Sequence, residues 1–410
     1  MNFKVVLIFA ALFCFRISFA QNSYETSKPW TYWWWMGNAV EKRDIKVQLE
    51  ESSKAGLGGV HIVPIYGAKG YEDIFQNWLS EAWMESVSYT IAEAEKLNLG
   101  VDITLGTGWP FGGPWITPEH AAKKIKINEY GIIKGNLKSL DLEKIRSKLK
   151  LMEIIGVYAF DGKERINLTS YLKEDVIDYK LPKSDWTVTV FSITQTEQMV
   201  KRAAPGGEGF VMDYFNKSSV EFYLHHFDSI FTNTQYPVNP RAFYHDSYEV
   251  YRSNWTNRFF DAFKAQHNYD LLDYLYVIND KEHKDYELMV HDVRATISEL
   301  LYTGFTETWT GWTQDHNKIS RNQAHGSPGN LLDLYALATV PETESFGCSD
   351  LNIPGLNCDP DYRAEKFGRP SPLMMKFASS PAHLLGKPLV SSETATWLAD
   401  HFKVPLKRVK

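Results

Sequence analysis

Short apolar runs of strand length alternate with longer amphipathic stretches along most of this chain, and no other feature limits the choice of fold as sharply. The runs read as strands fall at Tyr32–Gly37, Gly59–Tyr66, Val101–Gly106, Gly209–Phe215, Ala242–Ser247, Arg321–Gly326, Ala338–Glu344 and Leu389–Glu393. Helical periodicity fills the intervals, as at Lys42–Ala55, Ser80–Leu97, Ser218–Phe231, Trp255–Gln266 and His291–Gln314. A run such as Gly-Val-His-Ile-Val-Pro-Ile at 59–65 suggests burial on both faces, as a parallel sheet requires. About eight such strands predict an α/β fold of the (β/α)8 TIM-like barrel type rather than an open doubly wound sheet. No Gly-rich phosphate loop follows the first strand, which counts against a dinucleotide-binding fold.

Two segments depart from the rhythm. Between the third and fourth runs, residues 123–198 hold alternating strands separated by polar turns, which predicts a small β-rich insertion. Residues 1–20 read as a signal peptide: Lys4 opens it, Val5 to Phe15 form an apolar run too short to span a bilayer, and Ser18-Phe19-Ala20 offers a cleavage site. The expected product, residues 21–410, is secreted or periplasmic, with no membrane association after removal of the signal. Cys348 and Cys358, in a Gly/Pro/Asn-rich loop, suit a disulfide better than a zinc site, which needs more ligands. A net charge of −6 spread without blocks argues against nucleic acid as a partner. Thirteen Trp and 22 Tyr are a high aromatic content; most of these rings must be core, yet they also hint at carbohydrate, on whose apolar faces such rings stack.

In a barrel the residues at successive strand ends converge on one face. Here those ends carry Trp34, Trp35 and Asn38, then Trp109, then Asp213, then His245, Asp246 and Glu249, then Gln323 and His325, then Glu342 and Glu344, and last Glu393. Cleaving a glycosidic bond takes one carboxyl that protonates the leaving oxygen and one carboxylate that activates water or attacks, and the acids at 246, 249, 342, 344 and 393 can supply both. A strand-end acid also commonly caps a helix or pairs with a loop arginine. His61, His245 and His325 read as structural or hydroxyl-binding groups before metal ligands, and His225-His226 cannot share a helix face. Neither a His-Glu-x-x-His nor a Gly-x-Ser-x-Gly pattern occurs. A hard cation such as calcium, held by several oxygens, is compatible with so many acids.

Several segments taken together resemble glycoside hydrolase family 106, the α-L-rhamnosidases. They are Pro29-Trp30 through Gly37-Asn38, Ala55-Gly56 through Val60, Thr107-Gly108-Trp109-Pro110-Phe111-Gly112-Gly113-Pro114, Asp246-Ser-Tyr-Glu249 with Asn254-Trp255-Thr256, Gln323-Ala-His325-Gly326, Pro341-Glu342-Thr-Glu344 and Ser392-Glu393-Thr394. The resemblance implies a barrel that removes terminal α-L-rhamnose with inversion and calcium assistance. Glu249, Glu393 and Asp246 would be the catalytic group, with Glu249 as acid and Glu393 as base or the two roles exchanged, and with Asp246 orienting the sugar or tuning its neighbour's pKa. Trp34, Trp35, Asn38, Trp109, Asp213, His245, His325, Glu342 and Glu344 would bind substrate. Members of the family run further beyond the Ser-Glu-Thr segment, so a barrel incomplete at its C-terminus is also expected. The competing expectations are a barrel glycosidase for another terminal sugar and a truncated barrel that holds carbohydrate without turning it over.

Overall fold

The structure, a computed structural model, describes residues 28–346 and 371–396. The expected signal peptide, Cys348 and Cys358 lie outside the described residues. Seven parallel strands form the central sheet: β1 (Trp30–Met36), β2 (Gly59–Ile65), β3 (Gly100–Thr104), β4 (Ala242–His245), β5 (Ile319–Asn322), β6 (Val340–Phe346) and β7 (Ser391–Thr396), neighbours in that order. Every residue of β2 and β3 is buried, because helices cover one face while side chains fill the other. The covering helices include α1 (Lys42–Lys54), α2 (Glu81–Lys96), α3 (Lys217–Asn233), α4 (Phe259–His267) and α5 (Tyr286–Leu300). Ile45 and Leu49, one turn apart, are the buried face of α1; Ser80 caps α2 by accepting from Trp83 N. Helix α5 continues through a π-helical turn, Leu301–Thr306, into α6 (Glu307–Asp315), where the sequence predicts one unbroken helix.

The sheet is strongly curled. Seven strands laid flat would separate β1 from β7 by roughly 29 Å. Yet the Tyr32 hydroxyl on β1 lies 3.2 Å from a Glu393 carboxylate oxygen on β7. The architecture is a mixed α/β fold around a parallel half-barrel. Trp30 packs its ring across the start of β2 and β3, where any side chain on Gly59 or Gly100 would overlap it, and Arg241 stacks on that ring at 3.9 Å.

One expected barrel strand is not there. Of the run Gly209–Phe215 only Phe210–Val211 is a strand, and it pairs antiparallel with Gly112–Gly113 instead of entering the central sheet. The backbone is held to the loop that follows β3: a Cβ on Gly209 would sit 2.0 Å from the Gly113 carbonyl oxygen, and Asp213 N donates to His120 O at 2.7 Å. The sheet steps straight from β3 to β4, with Asp102 opposite Ala242.

Between these pieces stands a second, antiparallel sheet of four strands ordered 123–132, 186–195, 153–160 and 165–167. The period of two along its central strand explains why both faces are buried. Val188 and Val190 point into a small core of their own with Leu142, Val157 and Trp186, whereas Phe191 and Ile193 join the main core. Among the described residues no helix is long and apolar enough to cross a membrane.

Candidate active site

Alternate residues of the parallel strands point into the trough, and its floor is built of paired charge. Asp102 on β3 accepts from Arg241 (Nε 2.8 Å, Nη2 2.5 Å) and from Arg321 Nη1 on β5 (2.6 Å). Arg321 Nε in turn lies 2.6 Å from Glu342 Oε2 on β6, and its guanidinium lies over the Tyr244 ring. Against burial, the carboxylates of Glu342 and Asp102 hold that guanidinium firmly charged. Burial, and then Arg321, push His61 well below its ordinary range. The neutral ring therefore accepts from Arg321 Nη2 (2.9 Å) and donates to Thr104 Oγ1 (2.8 Å).

Above this floor lies a group of carboxyls with far less compensation. Glu393 Oε2 accepts from Gln323 Nε2 at 2.8 Å and from Tyr32 OH at 3.2 Å. The same two donors reach Glu342 Oε1 at 3.0 and 3.1 Å, so they clamp the two side chains together. Glu344 stands opposite Glu393 in the register of β6 and β7, and its Oε2 lies 2.9 Å from His325 Nε2. Asp246, just past β4, completes the group. Burial and then the negative charge of Glu344 push the Glu393 carboxyl up to about 7. Burial and then Glu393 push Asp246 well above the usual carboxylate range. A proton is thus retained among these acids at neutral pH, which is what a general acid needs.

Glu249 lies apart, at the rim. Its carboxylate ion-pairs with Lys201 and accepts from Tyr251 OH at 2.6 Å. Against partial burial, the hydrogen bonds from Lys201 and Tyr251 hold it below the ordinary carboxylate range. Its electrostatics are the reverse of those expected of the acid, and those of Glu393 the reverse of those expected of the base. The physical reason is local: Glu249 has a lysine within reach, while Glu393 faces other carboxyls.

The remaining expected binding residues divide. Trp34 is 43% exposed and stacks on Tyr32 at 5.4 Å, so it presents a free ring face beside the carboxyls. Trp35, one residue on, points to the opposite side of the sheet and is 1% exposed in the core, which corrects its expected binding role. Asn38 is fully buried, donating to Gln76 O and accepting from Trp83 Nε1, and it shapes a turn at φ +52°, so its side chain is taken up within the fold. Asp213 is fully buried too, 3.4 Å from Lys123 Nζ and accepting from Thr256 Oγ1 and Phe215 N; it ties the accessory sheet down. His245 is boxed in by Phe111, Phe305 and Trp309, bonds Asn322 and Tyr214, and is driven by burial to about 3, so it stays neutral and orients its neighbours. His325, Glu342 and Glu344 do line the carboxyl group, and Trp109 stands beside Glu249. Tyr32, Tyr244, Asp102, Arg241 and Arg321 belong to the site as well, and no sequence motif marks them.

Calcium finds no obvious seat. Among the described residues no three acidic, imidazole or thiol side chains converge as a cation site, and the Glu342 oxygens are taken up by Arg321, Gln323, Tyr32 and Ser391.

The sequence profile described as alpha-L-rhamnosidase, glycoside hydrolase family 106, matches residues 21–149 and 147–410. The chain belongs to glycoside hydrolase family 106. A rhamnosidase structure from Novosphingobium sp. PP1Y superposes with a TM-score of 0.68 at 17% identity, over 92% of this chain and 52% of that one, so the shared feature is the fold. A protein of Formosa agariphila provisionally named a beta-glucuronidase is 23% identical over 440 residues, covering 93% of this chain and 35% of the relative. This family 106 chain therefore spans about half the length of the first and about a third of the second. Its trough carries carboxyls at the ends of β4, β6 and β7.

Proposed function

We propose that this chain is the catalytic half-barrel of an exported enzyme that removes terminal α-L-rhamnose from polysaccharide or glycoside, with inversion. The observation that carries the reading is the opposed surroundings of two carboxyls: Glu393 faces Glu344 across the strands and is pushed up to about 7, whereas Glu249 is ion-paired with Lys201 and held low. Glu393 then protonates the leaving oxygen, with Tyr32 and Gln323 holding its Oε2. Glu249 draws a proton from the attacking water, and Asp246 shares the proton inventory of the acid. This exchanges the roles that the resemblance suggested. Asp246, pushed above the usual carboxylate range by burial and by Glu393, is poorly suited to be the base, which must be ionised.

The deciding measurement is turnover of aryl α-L-rhamnoside by the full chain, with the first-formed sugar observed by proton NMR. Initial β-L-rhamnose supports inversion, initial α-L-rhamnose overturns it, and faster turnover of fucosides or galactosides overturns the sugar assignment. Losses of about 10³-fold in kcat for Glu249→Gln but not Asp246→Asn would assign the base, and the converse would move it.

The pH profile follows from the two shifts. The acid must be protonated, so kcat/KM falls as pH rises through about 7, the value of Glu393. The base must be ionised, and the hydrogen bonds from Lys201 and Tyr251 hold Glu249 below the ordinary carboxylate range, so the acidic limb lies lower than an unpaired carboxylate would put it. A rate still rising above neutrality would contradict the assignment. Trp34 supplies a further test: with its ring face exposed and little packing to lose, Trp34→Ala raises KM about tenfold through lost stacking while leaving the melting temperature nearly unchanged.

A further inference from the structure

Beside Glu249 the rim carries a cation for which the proposed chemistry has no use. Arg202 is exposed, and its guanidinium carbon lies 5.4 Å from the Tyr66 ring centroid and 5.6 Å from that of Trp109. The neighbouring Lys201 reaches over Trp109 as well, at 5.7 Å, but its charge is matched by Glu249. Among the described residues no carboxylate is ion-paired with Arg202, so the shelf formed by Tyr66, Trp109, Lys201, Glu249 and Arg202 keeps one net positive charge.

This shelf is built, not incidental. Arg202 sits at φ +55°, a conformation that costs a non-glycine residue energy and persists where surroundings enforce it. The enforcement is visible. Tyr66 N donates to Arg202 O at 3.0 Å, and Trp109 and Lys201 exchange two backbone hydrogen bonds of 3.1 and 2.8 Å. A Cβ on Gly108 would lie 1.8 Å from the Lys201 carbonyl oxygen, so only glycine lets the two loops approach so closely. The loop is thereby seated on the ends of β2 and β3, on the same face as the carboxyls. A guanidinium resting on aromatic faces loses little freedom on binding and keeps its N–H edge for an oxyanion.

We propose that Arg202, on its Tyr66–Trp109 slot, forms a subsite for an anionic substituent, carboxylate or sulfate, on the sugar next to the cleaved residue. The inference rests on the glycosidase reading above and narrows its substrate class. The selectivity is local, since the molecule as a whole carries a net charge of −6.

The test compares three rhamnosyl disaccharides that differ in the second sugar: neutral hexose, hexuronate and sulfated hexose. Binding is followed by calorimetry and turnover by released rhamnose, for the parent chain, Arg202→Gln and Arg202→Lys. The expected result is an affinity about tenfold higher for an acidic disaccharide than for the neutral one, reduced to parity in Arg202→Gln and partly kept in Arg202→Lys. It weakens with added salt, and the neutral substrate is unaffected by either substitution. Preference for one acid over the other identifies the substituent. Equal binding of all three by the parent, or an equal loss on all three in Arg202→Gln, overturns the subsite. Charge-dependent binding that Arg202→Gln abolishes, without turnover of any rhamnoside, would leave the subsite standing and sink the enzymatic reading instead.

Discussion

Glu393→Gln is expected to lower kcat on rhamnosides by about 10³-fold while making the folded protein more stable above neutral pH. The loss of rate follows from the acid's role, since an amide cannot deliver a proton. The shape is kept, because the amide oxygen still accepts from Gln323 and Tyr32 as Glu393 Oε2 does. The gain in stability follows from linkage. A carboxyl whose value rises on folding, here to about 7, contributes stability that is present below its unfolded value, about 4.3, and lost as pH rises through the folded one. The parent therefore weakens between about pH 4 and pH 7 relative to the variant, and the two should coincide below about pH 4. Thermal melts across that range, paired with kcat, check both halves. A variant that turns over like the parent would remove Glu393 from the mechanism; one whose stability tracks the parent at every pH would remove the crowding of carboxyls as the cause of its shift.

The second large effect concerns the joint between the two sheets. Lys123 is fully buried, with its ammonium donating to Glu119 O (2.5 Å) and Ala121 O (3.0 Å) and paired with Asp213 at 3.4 Å. Lys123→Met leaves the Asp213 carboxyl, already raised by burial, without its cation, and should cost about 3–5 kcal/mol in denaturant unfolding. Adding Asp213→Asn should recover a large part of that loss, because the uncompensated charge, and not the missing contacts, dominates it. If the double variant is as unstable as the single one, the cost lies in packing and the ion pair is incidental.

Much of this was legible in the chain itself. Strands with no polar face, such as β2, announced a sheet covered on both sides, and the ends of β6 and β7 were readable as acidic because Glu342, Glu344 and Glu393 follow apolar runs directly. The floor of the trough was not readable, since Asp102, Arg241, Arg321 and Tyr32 become partners only when strands far apart in sequence are brought side by side. Trp34 and Trp35 could have been separated by the two-residue period of a strand, which puts adjacent rings on opposite faces. The direction of the Glu249 and Glu393 shifts could not, because it depends on Lys201 reaching one of them and on carboxyls surrounding the other. The run at 209–215 misled because its composition suits a strand while its pairing is decided by tight glycine contacts with the preceding loop.

The four-stranded sheet at 123–195 has a consequence for anyone who would graft or prune this scaffold. Its one face keeps a private core and its other supplies Ile155, Tyr158, Phe191 and Ile193 to the main one. An appendage of that kind is a shared wall, so excising it would strip its neighbour bare. Exchanges between relatives that carry differing versions should succeed only when the outer half is swapped and the party-wall residues travel unchanged.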